Sequence, residues 1–195
     1  MDEMHLAARW FHVIAGITWI GILYFFNFIN IPLQKDLGDD AKLVNPKMMP
    51  RALWWFRWAA MVTFVMGLVL YTINYMYTPG MGFGPNALAK SGRHMWILMG
   101  MAFGTLMWFN VWFIIWPAQK KILSGTAGED APALKARASM ASRINTYSSG
   151  PMLFGMLGAP HYTVLNMPVL IGMVVFGLAA IWVAYAHSAK VGKSV

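Results

Sequence analysis

Residues 94–119 decide the fold, because they form one uninterrupted apolar run, HMWILMGMAFGTLMWFNVWFIIWPAQ. The run contains no Asp, Glu, Lys or Arg, and it exceeds the roughly 20 apolar residues with which a helix crosses a bilayer. Three further charge-free runs cover residues 10–34, 58–89 and 144–189. A soluble domain of 195 residues cannot bury so much continuous apolar chain. The sequence therefore predicts an all-α, polytopic membrane helix bundle.

The composition agrees with a membrane protein. Charged residues make up 11% of the chain, whereas soluble domains contain about 25%. Cysteine is absent, which excludes disulfides, thiolate metal sites and the covalent attachment of c-type haem. The net charge is +8, but the basic residues lie between the apolar runs, where cationic loops face anionic lipid. The bilayer is therefore the expected partner, and nucleic acid is not.

We predict five membrane spans within a single domain, residues 1–195. Three runs each correspond to one helix, and the fourth is too long for one crossing and contains a break at Gly158–Tyr162. Because the fourth span begins with polar turns, the alternative is that it lies at the surface or re-enters, leaving four crossings. No internal repeat is evident. The predicted spans are Ala8–Leu33, Ala52–Tyr77, Gly92–Trp116, Met140–Leu157 and Leu165–His187.

The basic residues predict the orientation of the bundle. With five spans, one side carries Arg9, Lys90 and Arg93, and the other side carries the remaining twelve Lys and Arg residues, including Lys190 and Lys193. Cytoplasmic loops carry the excess of basic residues. We therefore expect a periplasmic N-terminus and a cytoplasmic C-terminus. Four spans would move Lys190 and Lys193 outside, so the charges also favour five.

The histidines are the candidate chemical groups. The predicted topology brings His12, His94 and His161 to the external end at one depth. An ionisable side chain within a span is costly and is a functional hypothesis by default. Two imidazoles on different helices suit the two axial positions of a b-type haem. We therefore predict that His12 and His94 ligate the iron of haem b, and we assign His161 a supporting, substrate or second-haem role.

Three neighbouring residues fit the same hypothesis. Arg9 lies three residues before His12 and Gly16 lies four residues after it, so all three share one helix face. Gly16 leaves room for a flat macrocycle at that face. Arg9 and Arg93, at the aqueous end, are placed to pair with haem propionates.

Two other interpretations of the histidines remain open. Each could be an interfacial histidine that snorkels or bonds to a backbone carbonyl. Copper is the rival metal, because the same three histidines lie near several methionines, among them Met95, Met99 and Met101. The 17 methionines are spread over all the spans, however, which is typical of flexible packing.

A second polar set lies nearer the cytoplasmic end. Polar groups inside bilayers usually bond between helices, and the alternative is a pocket for a substrate or quinone. The set consists of Asn27, Asn30, Arg57, Asn110, Asn145 and Tyr147.

Several blocks of the sequence form a recognisable pattern: residues 9–21 (RWFHVIAGITWIG), Phe103-Gly104-Thr105, Asn110, residues 116–121, Asn145-x-Tyr147, residues 151–154, Met156 and His161-Tyr162. Together they resemble the membrane domain of bacterial urate oxidases that couple urate oxidation to a cytochrome c. The architecture is also similar to the small haem-binding membrane protoporphyrinogen oxidases and to copper-resistance D-type proteins. The resemblance implies a redox protein of the bacterial inner membrane that exchanges electrons with a periplasmic cytochrome c.

The sequence departs from that family in two places. The 195 residues do not include its cytochrome c domain, and Ile144 stands where the family carries His before Asn-x-Tyr. We therefore expect electron exchange with a separate partner and no urate oxidation by this chain alone, and we assign no catalytic residue. The remaining alternative is a non-catalytic subunit of a respiratory complex, or a homo-oligomer.

Overall fold

Helices form almost all of the regular structure, which confirms the all-α prediction. The structure is a computed structural model and describes residues 2–162 and 164–192. The helices are α1 (Asp2–Tyr24), α2 (Ile31–Leu37), α3 (Ala41–Tyr75), α4 (Gly92–Phe109), α5 (Trp116–Leu123), α6 (Ala131–His161) and α7 (Met167–Ser188). Two π-helical segments, Phe25–Asn30 and Asn110–Ile115, join α1 to α2 and α4 to α5. A two-residue hairpin, β1 (Tyr77–Thr78) with β2 (Gly82–Phe83), follows α3.

Three helical stretches of the described chain are long and apolar enough to cross a membrane: Glu3–Tyr75, Gly92–Leu123 and Met167–Ser188. The protein is therefore a multi-pass membrane protein. The first stretch folds back on itself at Gly38, whose φ of 52° is left-handed and suits glycine. Its two arms run antiparallel: α1 contacts α3 at His5–Asn74 and His12–Thr63, and the π segment after α1 contacts it at Phe26–Phe56.

Helix α6 lies at the centre of the bundle although it is the most polar of the long helices. Asn145, Thr146 and Ser149 are completely buried, so this part of the segment packs inside the bundle, while the choice between five and four crossings stays a prediction. In a bilayer the outer face of a bundle is apolar, and polar groups face inward and bond between helices. Because its polar groups face inward, α6 is not among the three long apolar stretches. Helix α7 is one of them, and its Phe176 and Trp182 are about 60% exposed.

Glycines allow α6 to pack closely on both neighbours. A Cβ at Gly100 of α4 would lie 3.1 Å from the backbone carbon of Gly155, and one at Gly177 of α7 would lie 2.8 Å from that of Gly150. Such small residues let helix backbones approach in membranes, where packing replaces the hydrophobic effect between helices.

Two helices begin well before the predicted spans. Helix α3 begins at Ala41 rather than near Ala52, and α6 covers residues 131–161 rather than 140–157. The predicted break at Gly158–Tyr162 is instead helical through His161. The length of a charge-free run reflects the thickness of the hydrocarbon layer, whereas the helix itself continues into the aqueous layers on either side. Lys193, used in the charge count, lies outside the described residues.

The two π-helical segments reveal a local repeat that we did not expect. They lie 85 positions apart, and each is followed by x-Pro-x-Gln-Lys, at residues 31–35 and 116–120. The N–H of Ile31 bonds to Phe26, and the N–H of Trp116 bonds to Val111, each five residues back. Proline supplies no N–H and clashes with the preceding turn of an α-helix. A wider π turn before each proline is a local response to that defect.

Candidate functional site

His12 is held by two backbone features of α3. Its Nδ1 donates to the backbone carbonyl oxygen of Thr63 at 2.8 Å. A carbonyl can only accept, so in the neutral ring the proton is on Nδ1 and Nε2 carries the free lone pair. Gly67 makes room for the ring, because a Cβ there would lie 3.1 Å from Cε1 of His12. The ring is therefore oriented with Nε2 free to accept a proton or a metal.

A small apolar cavity of about 50 Å³ adjoins His12 between α1, α3, α4 and α6. Three methionines supply thioether sulfurs to its wall: Met101, Met152 and Met156. Trp19 also lines it, is 2% exposed, and has an indole N–H without an acceptor among the described residues. A buried donor without an acceptor is costly, so a bound group that accepts a hydrogen bond would stabilise this site.

His94 does not line this cavity. Its Nε2 is 2.9 Å from the hydroxyl of Tyr71, and its ring stacks on Tyr71 and Tyr75 with centroids 5.9 and 5.4 Å away. Tyr71 lies one helical turn beyond Gly67, about 6 Å along the axis. His12 and His94 thus contact successive levels of α3, and the structure does not bring them to one depth.

The other residues predicted to surround a haem also lie apart from one another. Arg9 contacts His5, with Nη2 and Nε2 3.4 Å apart, and Arg93 is half-buried at the start of α4. Gly16 packs against α3, where its Cβ would lie 3.8 Å from Thr63. His161 is exposed at the end of α6, so it does not reach the cavity.

The second polar set forms contacts between helices. Asn110 donates to Asn145 at 2.8 Å, and Asn145 donates to the carbonyl of Met107 at 2.9 Å. Asn27 donates to Ser142 on α6, and Tyr147 stacks on Tyr185 with centroids 6.2 Å apart. These contacts are those expected of a structural role, and that role and the alternative of a pocket both stay predictions.

The two remaining members of that set, Asn30 and Arg57, have other partners. Asn30 accepts from Gln34 at 3.0 Å, and Gln34 in turn accepts from Asn45 at 2.7 Å. Arg57 lies instead among tryptophans of α3, α5 and the second π segment. Neither Asn30 nor Arg57 lines the cavity beside His12.

Sequence reasoning missed Trp19, Thr63, Gly67, Met152 and Met156. Gly67 carried a usable signal, since it is the only glycine in α3, and a lone glycine in a helix indicates a close approach. The contact of His12 with the Thr63 carbonyl carried no such signal, because every residue type has a backbone carbonyl. No group of three or more His, Cys, Asp or Glu able to hold a metal occurs in the described part of the chain.

The fold and the cavity define an all-α, multi-pass membrane protein with a half-buried histidine beside three methionines. The chain belongs to the urate oxidase N-terminal family, whose model matches residues 85–190, more than half of its length. This confirms the resemblance inferred from the sequence. The matched range covers α4 to α7, and residues 9–21 with His12 lie before it. No curated protein and no solved structure is significantly similar to the chain.

Proposed function

We propose that the protein is a b-type haem protein of the bacterial inner membrane that transfers electrons near the periplasmic face. The observation that carries this proposal is the orientation of His12. A metal-bound histidine usually donates its other ring N–H to a backbone carbonyl or carboxylate, as Nδ1 of His12 does to Thr63. The free Nε2 then serves as the iron ligand.

The residues present fit a haem in two respects. His12 supplies a nitrogen ligand, and Gly67 keeps the space beside the imidazole free of a side chain. The cavity of about 50 Å³ must widen to admit a macrocycle. Its methionine walls are suited to that, because unbranched thioether side chains repack readily.

In this proposal each residue has a limited task. Thr63 keeps the proton of His12 on Nδ1, and the apolar wall excludes water. Haem supplies one-electron transfer when it is bound. His94 remains the predicted second ligand, and its ligation through Nε2 would replace the bond to Tyr71. Arg9 and Arg93 remain the predicted propionate partners.

We further propose five crossings with a periplasmic N-terminus. Helix α6 has 31 residues, about 46 Å at 1.5 Å per residue, so it is long enough to cross a hydrocarbon layer of about 30 Å. Both arms of the α1–α3 hairpin exceed 20 residues. The twelve-to-three distribution of basic residues sets the orientation. A periplasmic cytochrome c is then the electron partner.

Copper is the second candidate, and one observation favours it. His12 and three methionines line a single cavity whose volume suits an ion. Thioethers and imidazole together select Cu(I). This set includes Met101 but neither Met95 nor Met99, so it differs from the copper ligands considered from the sequence.

One experiment separates the two candidates. The protein is purified from cells supplied with iron, haem precursor and copper, and its reduced visible spectrum and copper content are measured. A b-type α band that His12→Ala abolishes supports haem. Copper that His12→Ala and Met152→Leu both remove, without an α band, supports the second candidate. His187→Ala is the control, because His187 is exposed at the end of α7. A normal spectrum in His12→Ala would overturn the proposal.

A further inference from the structure

Arg57 of α3 lies against three tryptophans at the end of the bundle opposite His94. Its guanidinium carbon is 3.8 Å from the ring centroid of Trp116, and 5.6 and 5.8 Å from those of Trp58 and Trp112. Trp112 also donates its indole N–H to the backbone carbonyl of Arg57 at 3.2 Å. The ring of Trp116 thus fixes the plane of the guanidinium group.

The charge of Arg57 is not neutralised within the described part of the chain. No carboxylate there lies within 4 Å of it, since the ion pair found among those residues joins Lys42 and Asp39. Its Nε is buried without a hydrogen-bond partner, whereas its two terminal nitrogens are not among the buried unpaired atoms. The terminal N–H groups are therefore at least partly accessible, and they have no acceptor among the described residues.

The surroundings place these accessible groups at the lipid headgroups. Arg51 lies six residues before Arg57, and Lys120 and Lys121 lie four and five residues after Trp116, so these charges are about 6–9 Å away along the helix axes. The headgroup layer on each side of a bilayer is of similar thickness, about 5–8 Å. Trp54, Trp55 and Trp58 are 48%, 58% and 41% exposed, and indoles favour this interface.

We infer that Arg57, with Trp58 and Trp116, binds the phosphate of an anionic phospholipid. A phosphodiester offers paired oxygens to the two terminal N–H groups of arginine. The exposed indole of Trp58 adjoins the region where the acyl chains of such a lipid lie. A lipid is favoured over a soluble anion because the flanking side chains are apolar and outward-facing. This site is separate from the cavity at His12 and does not depend on the function proposed there.

Native mass spectrometry of the full chain in detergent tests the inference. The protein is titrated with phosphatidylglycerol or with phosphatidylcholine of matched acyl chains. We expect wild type to retain phosphatidylglycerol about fivefold better, the effect of one basic side chain at an anionic surface. Arg57→Gln should lose this preference. Arg143→Gln is the matched control and should keep it, because Arg143 is also an arginine beside an aromatic ring, 5.6 Å from that of Tyr185.

Three results would overturn the inference: equal retention of the two lipids by wild type, an unchanged preference in Arg57→Gln, or displacement of phosphatidylglycerol by millimolar inorganic phosphate. The last would assign the site to a soluble anion. If Arg57→Gln does not fold, the unfolding temperature of wild type in nanodiscs of each lipid decides. A temperature no higher in phosphatidylglycerol would also contradict the inference.

Discussion

The Nδ1 atom of His12 and the backbone carbonyl oxygen of Thr63 lie 2.8 Å apart. This contact joins the two arms of the first hairpin at the level of the cavity. Because it determines which ring nitrogen carries the proton, the chemistry of His12 depends on the distance between α1 and α3. Substitutions that change this distance test the site without removing the histidine itself.

Gly67→Ala should weaken whatever binds at Nε2 of His12. The new Cβ would lie 3.1 Å from Cε1 and 3.4 Å from Nδ1, so the ring must move and the bond to Thr63 must lengthen. Overpacking of this kind costs about 1–3 kcal/mol. The measurements are bound haem or copper per protein and the thermal unfolding temperature. Gly21→Ala is the control, since a Cβ there meets nothing within 4 Å. Unchanged binding in the bulkier Gly67→Val would contradict this role for Gly67.

Gly155→Ala should force α4 and α6 apart. A Cβ at Gly155 would lie 2.6 Å from Cα of Gly100 and 2.8 Å from the carbonyl oxygen of Trp96, and backbone atoms cannot give way as side chains do. We expect a loss of about 1–3 kcal/mol, measured by unfolding in mixed micelles. Gly172→Ala on α7 should leave stability unchanged or slightly raised, because its Cβ has open space. Equal effects of the two changes would refute this view of the interface.

The amides of Asn110 and Asn145 should be energetically coupled. They share a 2.8 Å hydrogen bond between the second π segment, which continues α4, and α6, in the buried centre. A double-mutant cycle of Asn110→Ala and Asn145→Ala should give a coupling energy of at least about 0.6 kcal/mol, the average for interhelical bonds in a membrane protein, and at most about 1.7 kcal/mol. Ile144→Ala, at an exposed neighbour, should show no coupling to Asn110. Additive effects of the two asparagine changes would contradict the assignment.

Reporter fusions should distinguish five crossings from four. A reporter inserted at residue 84 should be active in the periplasm, and reporters at residue 126 and after Val195 should be active in the cytoplasm. The decisive fusion is the last one, because a chain in which α6 does not cross would place it outside. Reversed results at residues 84 and 126 would overturn the orientation.

The chain should exchange electrons with added cytochrome c but should not oxidise urate, even with histidine at position 144. Ile144 is 43% exposed while its neighbour Asn145 is fully buried, so a base at position 144 points away from the bundle centre. Stopped-flow mixing of the reduced protein with oxidised cytochrome c measures the first activity, and loss of urate from the same sample measures the second. Urate turnover by Ile144→His, or a reduced protein that no cytochrome reoxidises, would contradict the prediction.

The membrane class and the family could be predicted from the sequence because both depend on local features, namely the charge-free runs and the short motifs within them. The depth of the histidines was less accessible. His94 stacks on Tyr71 and Tyr75 of α3, so its depth in the bundle depends on the position of α4 along α3. No local sequence pattern encodes that position. The central place of α6 was equally hidden, because its polar residues would suit either a wet surface or a bundle interior. Only the packing of Gly100 on Gly155 and of Gly150 on Gly177 distinguishes them.

The π-helical segment Phe25–Asn30 sets the rotation of α1 relative to the chain that follows it. One residue corresponds to about 100° of rotation in an α-helix, and a π segment accommodates one residue more than a regular turn. Shortening this segment by one residue would therefore turn α1 by about a quarter of a circle against α2. His12 would then face away from Thr63, although neither residue had been altered. The orientation of the His12 ring therefore depends on a segment more than roughly three helical turns further along the chain.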